Sequence, residues 1–531
     1  MGNWRVFDAN CQVGRHLKLQ PHGLHTAQHL LAEMDHFGMH EALVLDCLSR
    51  ENHPAEGNRR VLEITARQPR LHPAWAALPP AAPDEQPAPE AFLAQMREHR
   101  VAAVFLFPVL YAFPLSDWCI DALLEPLAAA RVPVFINYSG QPRSHWPPDD
   151  TDWEAVVALC RRWPELPVIV SEERFRQANR VIYRAFDACE NLHIELSGYW
   201  LHRGIEYVTE RWGARRLVFG SNWPELGQGC TLATLTSADI DDDDKARIAG
   251  GNFRELMAWC QPEHPDVELR PPADAFVALA QTGERPASMT FADCHGHLGR
   301  YSRSYHLPRC RVDDVVADMD RLGVERVCAF SFTVARSDER YGNDFVAAAV
   351  ARYPDRFVGF TGLNPHRGRE EMLRELERCA RLGLRGIKLV TSYQEYPEGG
   401  PLLDVPCQWA HERKQIILNH SWGPAVRLEQ WVATYSNACF FTGHATTQYA
   451  GVMTRHPNLH VCTCPVQGPR SCEDLVRAVG ADRVLFGSDL EDLPVAWGLG
   501  PILCARLSSR EKQLILGDNL RRILREYSLR P

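Results

Sequence analysis

The residues best suited to chemistry lie in the second half of the chain. His295 and His297 stand one residue apart in "FADCHGHLG" (291–299), at the end of a short apolar segment. His420 ends the segment "IILNH", His444 ends "FFTGH", and Asp489 follows "VLFGS". Imidazole and carboxylate groups bind divalent ions of the zinc type, and a neutral imidazole also transfers protons near pH 7. The five side chains therefore predict a metal centre with an acid–base group, provided that one fold brings them together.

Short apolar segments alternate with longer amphipathic ones through this half, over about 240 residues. We predict strands at 289–297, 326–332, 357–363, 386–390, 415–420, 438–444, 459–464 and 483–488. Helix-like segments between them include 312–323 and 369–383, the latter ending at Gly383. Eight strands alternating with helices favour a (β/α)₈ barrel. An open doubly wound sheet is the alternative, but no Gly-rich phosphate loop follows the first strand.

A barrel would bring the candidate residues to one place. Each of them falls at the carboxyl end of a predicted strand, and in a (β/α)₈ barrel these ends meet at a single catalytic mouth. Side chains alternate along a strand with period two, so His295 and His297 should point to the same face. The same argument predicts that Cys294 points away from them, into the core.

The first half of the chain repeats the second. "VFDANCQVG" (6–14) matches the histidine segment, with Asn10 and Gln12 at the histidine positions. "RRLVFGSNWPE" (215–225) matches "DRVLFGSDLED" (482–492), which aligns Asn222 with Asp489. Further matches place Tyr138 opposite His420, Glu172 opposite His444, and Phe105 opposite Lys388; Asn252 and Asn519 follow at equal distance. A period this long indicates duplication of a whole domain.

The repeat defines the domain organisation. We predict two tandem (β/α)₈ barrels of the α/β class, at residues 1–260 and 289–531. Residues 261–288 are Pro-rich and are predicted to be a linker, with a short helix at "ADAFVALAQ".

The second copy resembles a known family. "DCHGHLG", "GIKLV", "ILNHS", "FTGH", "LFGSDLE" and "ILGDNLRRIL" are similar to motifs of the amidohydrolase superfamily. The most similar branch is the amidohydrolase-2 group, which includes aminocarboxymuconate semialdehyde decarboxylase and related hydrolases and lactonases. The resemblance covers nearly all of 289–527 and, more weakly, 4–259.

The resemblance implies roles for individual residues. His295, His297 and His420 would be metal ligands, and Asp489 would be both the fourth ligand and a proton acceptor. His444 would orient or deprotonate a water molecule, or polarise the substrate. His444 and Asp489 are thus the predicted catalytic residues, and one divalent ion, Zn²⁺, is the predicted cofactor.

Lys388 and a basic loop are predicted to contact the substrate. In two-metal members of the superfamily a carboxylated lysine on strand four bridges the ions. Here Lys388 is followed by Val390-Thr391, where the family often continues with His-Pro, and we favour one metal over two. The loop 299–311 carries Arg300 and Arg303 and could receive a carboxylate; a solvated loop is the alternative.

The first copy lacks the ligand set. Asn10, Gln12, Tyr138, Glu172 and Asn222 stand at the five positions, and amides are poor zinc ligands. We therefore expect a barrel retained for its shape. The resemblance suggests that the two copies pack as an internal pseudo-dimer, with a further homo-oligomer possible; independent domains joined by a linker would leave the same sequence.

Composition restricts the partners. The 531 residues carry a net charge of −9 and no long basic run, which does not suggest nucleic acid or an anionic membrane as a partner. No apolar stretch approaches the ~20 residues of a membrane span. The seventeen cysteines are scattered, and the N-terminal segment lacks a secretory signal, so we expect a cytoplasmic protein with reduced thiols.

Three functions remain open on the sequence. A metal-dependent hydrolase acting on a C–N or C–O bond of a small anionic molecule is the leading one. A non-oxidative decarboxylase of an unsaturated or aromatic acid would use the same ligands. A non-catalytic binding protein is favoured by the first copy alone, and the complete ligand set of the second argues against it.

Overall fold

The structure, a computed structural model, describes residues 4–17, 22–139, 151–299 and 305–527. The chain divides into two compact units: residues 1–283 together with 304–306, and residues 284–303 together with 307–531. Each unit contains one sheet of eight parallel strands in sequential order. The prediction of two tandem α/β barrels is confirmed.

The strands of the first unit are short and buried. They are β1 Phe7–Val13, β2 Glu41–Asp46, β3 Leu71–Ala76, β4 Ala103–Leu106, β5 Val134–Ile136, β6 Val168–Val170, β7 Leu192–Glu195 and β8 Leu217–Val218.

The strands of the second unit lie where the sequence predicts them, within a few residues at each end. They are β9 Phe291–Leu298, β10 Val324–Ser331, β11 Phe357–Gly362, β12 Gly386–Leu389, β13 Ile416–Asn419, β14 Cys439–Thr442, β15 Leu459–Cys462 and β16 Val484–Leu485.

Helices connect successive strands in both units. The first unit has α1 Ala27–Phe37, α2 Cys47–Glu51, α3 Pro54–Thr65, α4 Pro89–Glu98, α5 Asp117–Ala129, α6 Trp153–Arg162, α7 Asn179–Ala188, α8 Gly204–Trp212, α9 Gln228–Thr236, α10 Asp242–Ala246, α11 Asn252–Leu256 and α12 Ala275–Thr282. The second has α13 Val312–Leu322, α14 Thr333–Arg336, α15 Glu339–Arg352, α16 Arg369–Arg381, α17 Asp404–Arg413, α18 Ala425–Thr434, α19 Ala450–Arg455, α20 Ser471–Val479, α21 Val495–Leu503, α22 Ser509–Gln513 and α23 Asn519–Tyr527. A π-helical turn joins α10 to α11 and another joins α22 to α23.

Both sheets are nearly closed barrels. In the second, the amide of Cys294 donates to the carbonyl of Phe486 (2.8 Å), and a bridge joins Gly296 to Leu490. In the first, the amide of Ala9 donates to the carbonyl of Phe219 (2.9 Å). The first and last strands therefore meet in each unit, as a (β/α)₈ barrel requires.

An apolar cluster fills each barrel and is completed by the last helix. In the second barrel Phe360, Leu418 and Phe441 pack with Leu520 and Ile523 of α23. In the first, residues of β1 to β6 and of β8 pack with Phe253 of α11. The barrels are packed cores, so any chemistry is confined to their ends.

Equivalent polar residues brace both barrels. The Asn252 side chain donates to the carbonyls of Ala214 and Leu217 (2.8 Å each). Asn519 does the same in the second unit, to the carbonyls of Ala481 and Val484 (2.8 and 3.0 Å). These asparagines are buried and tie the last helix to the last strand, which explains why both copies keep them.

The second half of the segment predicted as a linker, which includes α12, is packed on the first unit. Asp274 caps α12, and the hydroxyl of Thr236 in α9 donates to the carbonyl of Ala280 (2.9 Å). Gln281 donates to the carbonyl of His36 (3.1 Å). The division between units falls after Gly283, later than the end of the repeated sequence.

The cysteines and the helices bear on two expectations, reduced thiols and the lack of a membrane span. All seventeen cysteines are free thiols, and all but Cys119 are buried. Within the described ranges, no helix combines the length and the apolar character needed to cross a membrane.

Candidate metal centre

The candidate residues lie at the carboxyl ends of the second barrel's strands. His295 and His297 belong to the last half of β9, and Lys388 lies in β12. His420 directly follows β13, and His444 comes two residues after β14. Asp489 lies beyond β16, with a φ of 64°, a left-handed conformation that Asp and Asn tolerate better than most residues.

Three of the four predicted ligands converge. The Nε2 atoms of His295 and His297 lie 3.6 and 3.4 Å from Oδ1 of Asp489. One donor atom from each residue falls within 4.8 Å of the other two, and all three side chains are buried. This is the composition and spacing of a site for one divalent ion.

A bulge in β9 positions the two histidines. Between Asp293 and Gly296 the register against β10 shifts, so β9 carries one extra residue there. Asp293 fixes this kink: its Oδ1 accepts from the amides of His295 (2.9 Å) and Ser488 (3.1 Å), and its Oδ2 accepts from the Ser488 hydroxyl (2.5 Å). The side-chain alternation expected along the strand is thereby broken.

The bulge overturns one prediction. Cys294 is buried as expected, but it does not point away from the histidine side of the strand. It lies in the apolar cluster inside the barrel together with Cys462, and Cys462 Sγ is 3.9 Å from His295 Nδ1. The period-two argument fails because it assumes an unbroken strand.

His420 is paired with His444 and stands outside the three-residue group. Their Nε2 atoms are 2.7 Å apart. Because His444 Nδ1 lies 2.7 Å from the carbonyl of Cys464, which can only accept, Nδ1 of His444 carries its proton. Its Nε2 is then the acceptor and His420 Nε2 the donor. Ser392 Oγ, 3.3 Å from His420 Nδ1, completes the chain. To bind a metal through Nε2, His420 must take the other tautomer and donate to Ser392.

Lys388 lies within the site. Its ammonium group donates to Nε2 of His295 (2.6 Å) and lies over the ring of Phe330, 4.9 Å from the centroid. It is 1% exposed, and burial lowers its pKa to about 8. An amine that is close to its pKa and faces the ligand group can hold an anionic oxygen or exchange a proton there.

The protonation states are those that ligation needs. Burial lowers the pKa of His297, His420 and His444, which favours neutral imidazoles. Burial alone would raise the pKa of Asp489, but the nearby imidazoles, His297 foremost, and Lys388 bring it below its ordinary value. Neutral histidines beside an ionised carboxylate are the forms that bind a cation without first losing protons.

Aromatic rings line the histidines, and the sequence reasoning missed them. The ring of Phe332 is 3.9 Å from that of His297, and Tyr393 is 4.8 Å from His420, centroid to centroid. Both follow the carboxyl ends of strands, as does Ser392, so their positions were a usable signal. The carbonyl of Cys464 is a backbone group and left no signal in the sequence.

The basic loop is only partly described. Arg300 and Arg303, predicted to receive a substrate carboxylate, lie outside the described residues.

Both halves of the chain match one protein family. The sequence profile of a family described as Amidohydrolase matches residues 28–257 and 292–525, most of the chain. The chain belongs to the amidohydrolase family.

Individual relatives match parts of the chain. L-fucono-1,5-lactonase of Burkholderia ambifaria is 26% identical over an alignment of 176 residues. The match covers 29% of this chain and 51% of the lactonase. The chain thus spans about half the length of this curated relative. The solved structure of 5-carboxyvanillate decarboxylase from Sphingomonas paucimobilis is 16% identical, with a TM-score of 0.37, and covers 45% of this chain and 100% of its own. Dihydroxybenzoic acid decarboxylase from Polaromonas, solved with bound manganese, is 17% identical with a TM-score of 0.36, covering 44% and 97%.

At the mouth of the first barrel, amide, hydroxyl and carboxylate side chains lie where the second barrel has its metal-binding candidates. Asn10 occupies the position of His295 and donates to Ser171 Oγ (3.1 Å) and Glu195 Oε2 (2.9 Å). Glu195 also accepts from the hydroxyls of Ser171 (3.0 Å) and Ser197 (2.7 Å). Burial raises the pKa of Glu195 to about 7. These polar groups hydrogen-bond to one another at the place where the second barrel has His295.

One residue correspondence changes. The sequence match places Tyr138 opposite His420, but the backbone pairing places Asn137 there. The amide of Asn137 donates to the carbonyl of Leu106, just as the amide of His420 donates to that of Leu389, the equivalent residue. The first barrel therefore has amides at the positions of His295, His297, His420 and Asp489, and a carboxylate, Glu172, at that of His444.

Proposed function

We propose that the second barrel binds one divalent metal ion and hydrolyses a C–O or C–N bond of a small, anionic organic substrate. The observation that carries the proposal is the convergence of His295, His297 and Asp489 beside the imidazole of His444, whose ring centroid is 6.0 Å from that of His295. A ligand group beside an oriented, neutral base is the arrangement that metal-assisted hydrolysis requires.

The residues present fit a metal ion. Two imidazoles and a carboxylate, all buried, bring their donor atoms within 4.8 Å, and His420, in its other tautomer, is the proposed fourth ligand. This donor set suits Zn²⁺, which we propose as the ion. When bound, the ion supplies a Lewis acid that polarises the substrate and favours deprotonation of water at neutral pH.

The protein's own groups manage protons and position. His444 can accept a proton at Nε2 once His420 takes its other tautomer, because the carbonyl of Cys464 retains the proton on Nδ1. The resulting imidazolium would be stabilised by Asp489, whose carboxylate is ionised. His444 can return the proton to the leaving oxygen or nitrogen, as general acid–base catalysis requires.

Lys388 supports an anionic substrate. Within the described residues, its Nζ is bonded to an imidazole of the ligand group rather than to a carboxylate. We propose that it holds a substrate oxygen that carries negative charge. Arg300 and Arg303 remain proposed contacts for a substrate carboxylate.

The lactonase relative favours hydrolysis of a C–O bond. L-fucono-1,5-lactonase aligns with about half of its length, so the substrate class is a proposal. A sugar lactone or a similar cyclic ester would place its carbonyl at the ligand group and release a carboxylic acid.

Decarboxylation of an unsaturated or aromatic acid is the second candidate. The rings of Phe332 and Tyr393 beside the ligand histidines would stack on a planar substrate. In that reaction His444 would deliver a proton to carbon, and water would not attack.

We propose that the first barrel is non-catalytic and serves the fold. Four of its five ligand positions carry amides, and Asn10, Ser171 and Glu195 are bonded to one another. A purely binding role for the whole chain would not explain why the second barrel has a ligand group beside an acid–base residue. Cytoplasmic location and an internal pseudo-dimer remain predictions of the sequence, the first supported by the free thiols.

Product analysis tests the proposal. The purified chain, loaded with Zn²⁺, is offered aldono-lactones and hydroxylated aromatic acids, and acid formation and carbon dioxide release are measured in parallel. We expect acid formation from a lactone, lost in His297→Ala and retained in Gln12→Ala, the matched change in the first barrel. Carbon dioxide release alone would select the decarboxylase, and neither product with a loaded metal would contradict both.

A further inference from the structure

Three side chains far apart in sequence meet at the amino-terminal end of the first barrel's strands. Glu41 begins β2, His72 is the second residue of β3, and His264 lies in the irregular segment between α11 and α12. Oε2 of Glu41 is 2.9 Å from Nε2 of His72 and 2.7 Å from Nδ1 of His264. The three donor atoms all lie within 4.8 Å of one another. Glu41 and His72 are buried, and the His264 side chain is 35% exposed.

Glu41 is held ionised and oriented. Arg254 donates from Nε and Nη2 to Oε1 of Glu41 (3.0 and 2.7 Å), which leaves Oε2 for the two imidazoles. Because Arg254 is bonded to Oε1, only Oε2 is left to bind a metal ion, as a monodentate ligand.

The surrounding charges limit which ions could bind. Besides Arg254, Arg5 Nη2 lies 3.9 Å from Oε1. Two guanidinium groups disfavour a hard ion that binds by charge alone, such as Ca²⁺ or Mg²⁺. An ion that gains much of its affinity from imidazole nitrogen is tolerated better.

We propose that Glu41, His72 and His264 form a second metal site, separate from the catalytic one, for a transition ion such as Zn²⁺. Two imidazoles and a carboxylate leave a fourth position, on the exposed side of His264, for water. Bonds of 2.0–2.1 Å in a tetrahedral site need donors about 3.3 Å apart, so the observed separations must open by roughly half an ångström. His264, in an irregular and partly exposed segment, can make this shift.

The site belongs to the first barrel only. By strand register, Arg326 of β10 stands where Glu41 stands, and Val358 of β11 stands where His72 stands. Neither residue can ligate a metal. The first barrel thus carries at its opposite end a donor set with no counterpart in the second barrel and no residue in common with the catalytic positions.

The bound ion would fasten the chain that follows the first barrel. His264 is flanked by Pro265, whose carbonyl accepts from Arg5 Nη2 (2.5 Å). Ligation of His264 would fix this segment against β2 and β3, so we expect the ion to raise the thermal stability of the first unit.

Metal content of the full-length protein tests the inference. The chain is stripped with a chelator and reloaded with Zn²⁺, or with Co²⁺ for its visible spectrum, and bound ions are counted after removal of the excess. We expect two ions per chain. His264→Gln should hold one, because glutamine keeps a hydrogen-bond donor for Glu41 but ligates poorly. Exposed His99→Ala is the matched control and should hold two.

The same count separates this site from the catalytic one. His297→Ala should also hold one ion, and the double variant none. A wild-type chain with one ion that His264→Gln retains and His297→Ala loses would overturn the inference and leave the proposed function standing. A wild-type chain with one ion that His264→Gln loses and His297→Ala retains would support the second site and overturn the proposed function. Equal melting temperatures of wild type and His264→Gln with and without Zn²⁺ would also overturn the inference.

Discussion

The two barrels differ at one position within the bulge of the first strand. In the second barrel this residue, His295, contacts Lys388 and Asp489. In the first barrel its equivalent, Asn10, contacts Ser171 and Glu195. The backbone at the two places is nearly the same, since both first strands carry the bulge and both use an aspartate to hold it. What differs is whether the polar groups leave a donor atom for a ligand.

The first barrel shows that the fold forms without the histidine ligands. Replacing histidines with unpaired groups would leave buried donors and acceptors without partners, at a cost of about 1–3 kcal/mol each. Asn10, Ser171, Ser197 and Glu195 instead bond one another. The scaffold residues outside the mouth, such as Asn252, keep their contacts.

The sharpest test of the comparison is removal of one ligand from each barrel. His297→Ala should abolish binding of the catalytic ion and reduce turnover to background, because the remaining donors cannot hold the ion alone. Gln12→Ala, at the matched position, should leave both unchanged. Metal analysis and initial rates measure this. A catalytic loss in the Gln12 variant would mean that the first mouth takes part in the reaction.

A smaller effect is expected from the proton-transfer residue. His444→Asn should keep the catalytic ion and lower turnover by about 10²–10⁴-fold, the usual contribution of an acid–base group. Glu172→Gln is its counterpart in the first barrel and should have no effect on turnover. If His444→Asn loses the metal as well, His444 is a ligand and the assigned role is wrong.

The pH dependence of stability should reveal the polar network of the first mouth. Burial raises the pKa of Glu195 from 4.5 to about 7, so over this range the folded state holds a proton that the unfolded chain has released. The stabilisation is therefore complete below pH 4.5 and is lost as the pH rises to 7, a change of about 3 kcal/mol. Glu195→Gln should remove this dependence. Denaturant unfolding at pH 5 and pH 8 measures the difference, with exposed Glu63→Gln as control.

The smallest effects should be equal in the two barrels. Asn252→Ala and Asn519→Ala each remove two hydrogen bonds to buried carbonyls, so each should destabilise its own unit by about 1–3 kcal/mol. Thermal unfolding followed by calorimetry would report both. A much smaller loss for Asn252→Ala would indicate that the first barrel has relaxed its scaffold as well as its site.

The sequence by itself determined the elements and where the candidate residues lie along the chain. Strand and helix periodicity are local properties, so the eight strands of the second barrel and the helix at α12 could be predicted to within a few residues. The positions of His295, His420 and Asp489 at strand ends followed from the same pattern, because parallel strands of a barrel share one catalytic end.

The tertiary structure decided what depends on register and on contacts between distant segments. The β9 bulge brought the histidines to the side of the strand that Cys294 occupies, and the β4–β5 pairing placed Asn137, rather than Tyr138, at the position of His420. The pairing of His420 with His444 and the meeting of His264 with Glu41 join residues that lie 24 and 223 positions apart. No periodic pattern encodes such meetings, because they are set when whole elements pack and each buried polar group finds its partner.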